Sequence, residues 1–184
     1  VKNNIQIGAG NTLTQTTATD SIFVGGSWSN SGTFNPGSSV VVFKPTSGTY
    51  SLSPKAGDTF YDLVVLGSNG TLTLGADLEV TGHIKCEDGV FYGANRTLEV
   101  SGNWSSGFDN FDGGTGTVLF SRNDANVQTI DGGTFNHVTF EGSSEKQALS
   151  TLFFEGNLII KNGATFNGGS QLIYARNYWY NALI

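Results

Sequence analysis

The segment Thr97–Trp104 reads TLEVSGNW, and the segment Ser21–Trp28 reads SIFVGGSW, so the chain uses nearly the same pattern twice. Each segment alternates apolar with polar residues, turns at glycine and ends on tryptophan. The chain has three tryptophans, which are Trp28, Trp104 and Trp179, and the two intervals between them are almost equal. Such even spacing of a rare residue indicates an internal repeat.

The repeat extends well beyond the tryptophans. Phenylalanines keep nearly the same offset in three pairs, which are Phe34 with Phe111, Phe43 with Phe120, and Phe60 with Phe135. We interpret the chain as a section of a longer array. Its parts are the tail of a preceding repeat (1–27), a first full repeat (28–103), a second (104–178) and the start of a following repeat (179–184).

Composition limits the classes of protein to which the chain can belong. The 184 residues carry a net charge of −6 and no run of lysine or arginine, which disfavours nucleic-acid binding. No apolar run approaches the roughly 20 residues of a membrane helix, so no membrane span is expected. Cys86 is the single cysteine, so an intrachain disulfide is excluded. Its counterpart in the next repeat is Ile160, which predicts an apolar core position for Cys86.

Short stretches alternate with period two, and glycine, asparagine and aspartate separate them. This pattern is typical of strands with one buried face, and no stretch has helical period, so we predict an all-β fold. Apolar clusters recur about every 20 residues, at Val40–Phe43, Leu63–Leu66 and His83–Cys86. Because no linker separates the repeats, we predict a parallel β-helix, or β-solenoid, with three or four coils per repeat. Tandem β-sandwiches are the alternative.

The chain contains three sequence blocks that together form a repeat pattern. The first, GNW-x-N-x-GTF-x-x-G-x-x-x-V-x-F, is approximated by Gly25–Phe43 and Gly102–Phe120. The second, Q-x-I-x-G-x-x-F-x-x-L, is clearest at Gln128–Val138, and the third, L-x-V-x-G-x-L, at Leu78–Ile84 and more weakly at Leu152–Leu158. With these blocks the chain resembles the repeats of very large secreted surface proteins of gliding Gram-negative bacteria. The resemblance implies export by type IX secretion, a cell-surface or extracellular location, and a role in adhesion or gliding.

Asp109 and Asp112 are the best pair of acids for a chemical role. Their counterparts in the first repeat are Gly32 and Asn35, so the repeat itself does not require carboxylates there. Two carboxylates can contribute to a Ca²⁺ site or act as acid and base on a sugar. The alternative is that both are surface turn residues, and no other cofactor is expected.

Tyr178, Trp179 and Tyr180 form an aromatic cluster that predicts a platform for a glycan. The alternative is that Trp179, like Trp28 and Trp104, is a structural residue of the repeat at a corner of the coil. Elsewhere, His83 and His137 have polar counterparts and no neighbouring cluster of metal ligands, which indicates solvent-facing positions at strand edges.

The sequence therefore predicts a non-enzymatic structural or adhesive segment that acts as an extended spacer or filament. Its expected partners are neighbouring repeats of the same chain, with surface glycans or the secretion and gliding machinery as further candidates. Two alternatives stay open. One is a carbohydrate-binding module of a secreted polysaccharide-degrading enzyme, and the other is a polysaccharide lyase or hydrolase, for which no catalytic motif is found.

Overall fold

The structure is a computed structural model that describes residues 3–17, 20–161 and 163–181. Within these ranges the chain forms strands and turns without a helix. Every strand pairing in this part of the chain is parallel. The chain winds as a β-solenoid of about 9 coils, which confirms the predicted fold class. The alternative of tandem β-sandwiches is wrong, because the coils stack without interruption on one core.

Each complete coil has three strand segments, and the segments stack into three faces. The first face contains β3 (Ser21–Val24), β6 (Val40–Phe43), the first halves of β9 (Asp62–Leu74) and β11 (Ile84–Tyr92), β13 (Trp104–Ser106), β16 (Gln128–Asp131), β19 (Glu145–Ala148) and β22 (Thr165–Asn167). The second face contains β1 (Ile5–Ile7), β4 (Trp28–Asn30), β7 (Gly48–Ser53), the second halves of β9 and β11, β14 (Phe111–Asp112), β17 (Thr134–Phe135), β20 (Leu152–Phe154) and β23 (Ile173–Ala175).

The third face is a separate sheet. It contains β8 (Thr59–Phe60), β10 (Leu78–Val80), β12 (Thr97–Val100), β15 (Thr117–Phe120), β18 (His137–Phe140), β21 (Leu158–Ile160) and β24 (Trp179–Asn181). Two earlier strands, β2 (Thr12–Thr14) and β5 (Thr33–Asn35), pair with each other and join this face through a ring contact of 5.2 Å between Phe34 and Phe60.

The core is a set of apolar columns that run along the rod. Because alternate strand residues point to opposite sides, a parallel in-register ladder places like residues above one another. One column of the third face is fully buried and consists of Leu78, Leu98, Val118, Val138 and Leu158. The predicted apolar clusters at Val40, Leu63 and Ile84 lie together on the first face.

The corner before Trp104 requires glycine for a steric reason. A Cβ atom on Gly102 would lie 2.1 Å from the carbonyl oxygen of Gly82, one coil earlier. The two backbones meet there through a hydrogen bond of 2.8 Å from the Gly102 N–H to the Gly82 carbonyl. The recurrent glycine of the GNW block therefore allows neighbouring coils to approach at this corner.

The sequence repeat and the structural coil have different lengths. Trp28, Trp104 and Trp179 begin β4, β13 and β24, so the predicted repeat boundaries coincide with strand starts. Each interval covers eleven strand segments, whereas a coil has three. One repeat therefore makes three and two-thirds coils, and the three tryptophans lie on the second, first and third faces respectively. At about 4.8 Å per coil, a repeat lengthens the rod by roughly 18 Å.

Candidate functional site

Trp28 and Trp104 form matching aromatic clusters although they lie on different faces. The ring centroid of Trp28 is 4.8 Å from that of Phe34 and 5.2 Å from that of Phe60. The corresponding distances from Trp104 are 4.6 Å to Phe111 and 5.3 Å to Phe135. Both tryptophans are fully buried, at 0% and 1% exposure. The chain thus forms the same cluster again eleven strand segments after Trp28, but on the first face instead of the second.

Trp179 keeps the strand phase of the other two tryptophans but not their burial. It pairs with Leu158 and so continues an inward column, yet 54% of it is exposed. Its ring lies 6.5 Å from the ring of Phe166, the single ring contact found for it among the described residues. The outward residues of the predicted glycan cluster are therefore Tyr178 and Tyr180, whose rings are 5.7 Å apart.

The two buried indoles differ in hydrogen bonding, and this predicts a difference in stability. The Trp104 Nε1 donates to the Ser106 hydroxyl (3.2 Å) and the Gly132 carbonyl (3.1 Å), whereas the Trp28 Nε1 is buried without a partner in the described part of the chain. We expect Trp104→Phe to lower the free energy of unfolding by about 1–2 kcal/mol more than Trp28→Phe. Urea unfolding of both variants measures the difference, and equal losses would contradict the assigned hydrogen bonds.

Asp109 lies in the turn before β14 on the second face, and Asp112 is the last residue of that strand. Asp109 and Asp112 are both exposed, and Asp112 Oδ1 accepts a hydrogen bond of 2.8 Å from the Gly114 N–H. Across residues 3–17, 20–161 and 163–181, no group of three or more histidine, cysteine, aspartate or glutamate side chains is arranged to hold a metal ion. The calcium role of the pair stays a prediction.

Both histidines stabilise corners between coils. The Nδ1 atom of His83 accepts a hydrogen bond of 3.0 Å from the Asn103 N–H, and that of His137 accepts one of 3.0 Å from the Asn157 N–H. The Asp62 carboxylate accepts the His83 N–H at 2.6 Å in the same way. Each bond joins a side chain to the backbone about one coil later, which is a structural use of these residues.

Lys146 is a buried polar residue that sequence reasoning missed. Its side chain is completely buried, and its Nζ atom donates to the carbonyls of Ser144 (2.8 Å), Arg122 (3.1 Å), Gly142 (3.5 Å) and Glu141. Burial lowers the pKa of Lys146 to about 8, and the nearby Glu141 carboxylate opposes that shift. The four carbonyls form a cage that needs a donor, so we assign Lys146 to the structure of this corner.

Gln128 carries out the same task one coil earlier. It pairs with Lys146 in the ladder, is fully buried, and donates from Nε2 to the carbonyls of Val100 (2.8 Å) and Gly102 (2.6 Å). The glutamine of the second sequence block was a signal for this role. Lys146 occupies the ladder position directly after Gln128, so its role could be inferred only once the pairing of these two strands was known.

An acidic groove on the third face was also missed. It is lined by Gly57, Asp58, Asp77, Leu78, Glu79, Thr97 and Glu99. Glu79 and Glu99 are direct ladder neighbours, and burial together with the Glu99 charge raises the pKa of Glu79. The carboxylates come from three successive coils, which the repeat alignment does not bring together.

Outward-facing aromatic rings form a second unexpected feature, on the second face. Phe153 and Tyr174 stack with centroids 4.6 Å apart and an angle of 9° between the ring planes. Phe108 meets Phe153 edge-on at 4.6 Å and 90°. These outward rings do not belong to the core, so they are available for contacts outside the chain.

Comparisons of the chain with protein-family models, curated proteins and solved structures found no match. In the described ranges, no helix has the length and apolar character needed to cross a membrane.

The buried thiol of Cys86 occupies the predicted core position, and burial raises its pKa.

Proposed function

We propose that this chain is a non-enzymatic, extended segment of a secreted cell-surface protein, which serves as a spacer or adhesive rod. The observation that carries the proposal is the uninterrupted stacking of about 9 coils on one core. In a solenoid each coil contacts chiefly its neighbours, so the length of the rod increases in fixed steps with the number of repeats. Length and stiffness are the properties that such a segment contributes.

The location and partners belong to the same proposal. The blocks around Trp28 and Trp104 resemble repeats of type IX-secreted surface proteins, and this resemblance supports export to the outer surface. The partners proposed are neighbouring repeats of the same chain, surface glycans, and the secretion or gliding machinery. The net charge of −6 also favours a soluble rod that does not bind nucleic acid.

A carbohydrate-binding module of a secreted polysaccharide-degrading enzyme is the second candidate function. The observation that favours it is the exposure of Tyr178 and Tyr180, which lie side by side at the described end of the rod. A lyase or hydrolase would need a convergent set of acids and bases. Asp109 and Asp112 offer two exposed carboxylates. The one hydrogen bond described for the Asp112 carboxylate comes from the Gly114 N–H, as in a turn.

Deletion of residues 28–103 tests the spacer function. The deletion joins Ser27 to Trp104, so β13 takes the place of β4 and all later strands move by one face. Because the two tryptophan clusters match, we expect a folded, soluble protein. Its rod should be shorter by about 18 Å, which is three and two-thirds coils. Circular dichroism and the maximum dimension from small-angle scattering measure both results.

A deletion one residue longer, of residues 28–104, is the matched control. It places Ser105 in the tryptophan position and reverses the inward and outward alternation of that strand. We expect this control to unfold or aggregate. Shortening of the first deletion protein by more than about 30 Å, the length of a globular domain, would refute the solenoid spacer.

A further inference from the structure

Five outward side chains form one line along the second face. The strand register places Tyr92, Asp112, Thr134, Phe153 and Tyr174 directly above one another on consecutive coils. At about 4.8 Å per coil the line is roughly 19 Å long. We name these five residues, together with Phe108, the second-face strip.

Phe108 closes the middle of the strip. It belongs to the turn between β13 and β14, yet its ring reaches that of Phe153 two coils later. Phe108 and Tyr174 are 52% and 48% exposed, so half of each side chain contacts solvent. Phe153 covers one side of Tyr174, and the remaining ring surface is open for a ligand.

Polar groups accompany the rings. A shallow groove beside Phe108 is lined by Val90, Phe108, Asp109, Phe111, Asp112 and Thr134. The strip and this groove thus combine aromatic rings with hydroxyl groups and with the carboxylates of Asp109 and Asp112, which accept hydrogen bonds. A sugar ring has this same division, with apolar C–H faces and a rim of hydroxyl groups. Extended polysaccharides repeat this division along their length, and the strip presents polar and aromatic side chains on consecutive coils of the rod.

Charge selects among the candidate ligands. Asp109 and Asp112 lie in the groove, and the chain has a net charge of −6, so an acidic polysaccharide would be repelled. A second copy of the chain would bring the same carboxylates against each other. An uncharged polysaccharide meets the rings and acceptors without this cost.

We propose that the second-face strip binds an uncharged polysaccharide that runs parallel to the rod. The proposal rests on the proposed adhesive function and names its ligand class. The sugar faces pack on Phe108 and Tyr174, and hydroxyl groups donate to Asp112 and exchange hydrogen bonds with Thr134. Binding along several coils provides many weak contacts, which suits attachment to a polymer.

Affinity electrophoresis in gels that contain hydroxyethyl cellulose, xylan or galactomannan tests the proposal. We expect at least one of these neutral polymers to retard the protein, and polygalacturonate to retard it less. The variant Phe108→Ala/Tyr174→Ala should bind about tenfold more weakly or worse, because exposed aromatic anchors dominate such interfaces. Its melting temperature should stay close to that of the parent, since both rings lie outside the core.

Two matched variants make the result specific. Phe23 is an exposed ring on the outer side of the first face, so Phe23→Ala should bind as the parent does. Tyr178→Ala/Tyr180→Ala removes the other aromatic pair and should also retain binding. The proposal is overturned if no neutral polymer retards the protein, if polygalacturonate retards it most, or if binding is lost only with Tyr178 and Tyr180. None of these outcomes alters the deletion result, so the spacer function is tested separately.

Discussion

Replacing Trp104 with alanine should lower the free energy of unfolding by about 3–5 kcal/mol, as for other large aromatic residues in cores. The indole is 1% exposed and contacts the rings of Phe111, Phe120 and Phe135 at 4.6, 6.1 and 5.3 Å. Alanine would leave a cavity between coils. This cavity cannot collapse without disturbing the pairing of β13 with β11 and with β16. It would also remove the donor to the Gly132 carbonyl. Urea unfolding followed by circular dichroism measures the loss.

Trp179→Ala is the control for this prediction. Trp179 has the same position in the sequence repeat, but it is 54% exposed, and within the described residues its ring meets one other ring, at 6.5 Å. We expect a loss below about 1 kcal/mol, the usual range for surface positions. Similar losses for Trp104→Ala and Trp179→Ala would show that position in the repeat, and not burial, determines the contribution of the tryptophan.

Period-two alternation was sufficient to predict the strands, and the regular spacing of the apolar clusters was needed to predict the solenoid. The clusters at Val40–Phe43, Leu63–Leu66 and His83–Cys86 carried the decisive signal, because the distance from one cluster to the next is one coil. The longer repeat, from one tryptophan to the next, was a separate signal with a different meaning. One such repeat contains eleven strand segments. The positions of the tryptophans alone do not show how many segments lie between them.

The three faces explain how repeat and coil can differ. A repeat that is not a whole number of coils must place the same residues in a new face each time. Trp28 on the second face and Trp104 on the first make equivalent clusters, with ring distances of 4.8 and 5.2 Å in one and 4.6 and 5.3 Å in the other. The first and second faces are therefore nearly interchangeable in their core packing at these clusters, while their outer surfaces are free to diverge.

The candidate surfaces were harder to predict than the core. Phe108, Phe153 and Tyr174 come from three coils, and alternation alone marks Phe153 and Tyr174 only as outward residues. The ladder brings Phe153 and Tyr174 together, whereas the contact of Phe108 with Phe153 depends on the turn between β13 and β14. The aromatic cluster at Tyr178–Tyr180 was visible because it is continuous in sequence, but the ladder assigns its central ring to the inward column.

Lys146→Met should lower the free energy of unfolding by about 2–4 kcal/mol, because buried acceptors without partners each cost about 1–3 kcal/mol and removal of a buried charge offsets part of this cost. Methionine has similar length but no donor, so the carbonyls of Arg122, Glu141 and Ser144 would lose the N–H groups that satisfy them. Lys146→Gln is the matched variant, because Gln128 satisfies two corner carbonyls from the preceding rung of the ladder. It should lose less stability than the methionine variant.

The dependence of stability on pH distinguishes a titrating cage from simple packing. The folded-state pKa of Lys146 is about 8, below the value of about 10.4 for an unfolded lysine. Between these values the unfolded state holds more protons, so the free energy of unfolding should rise with pH across that window. Burial raises the pKa of the Cys86 thiol, which acts in the opposite direction as unfolded thiolate forms. Because Cys86 is present in both proteins, the difference between the parent and Lys146→Met isolates the lysine. That difference should widen from about pH 8 to pH 10, since the neutral amine still donates to the carbonyls. A difference that is constant across this range would mean that the buried amine does not titrate there.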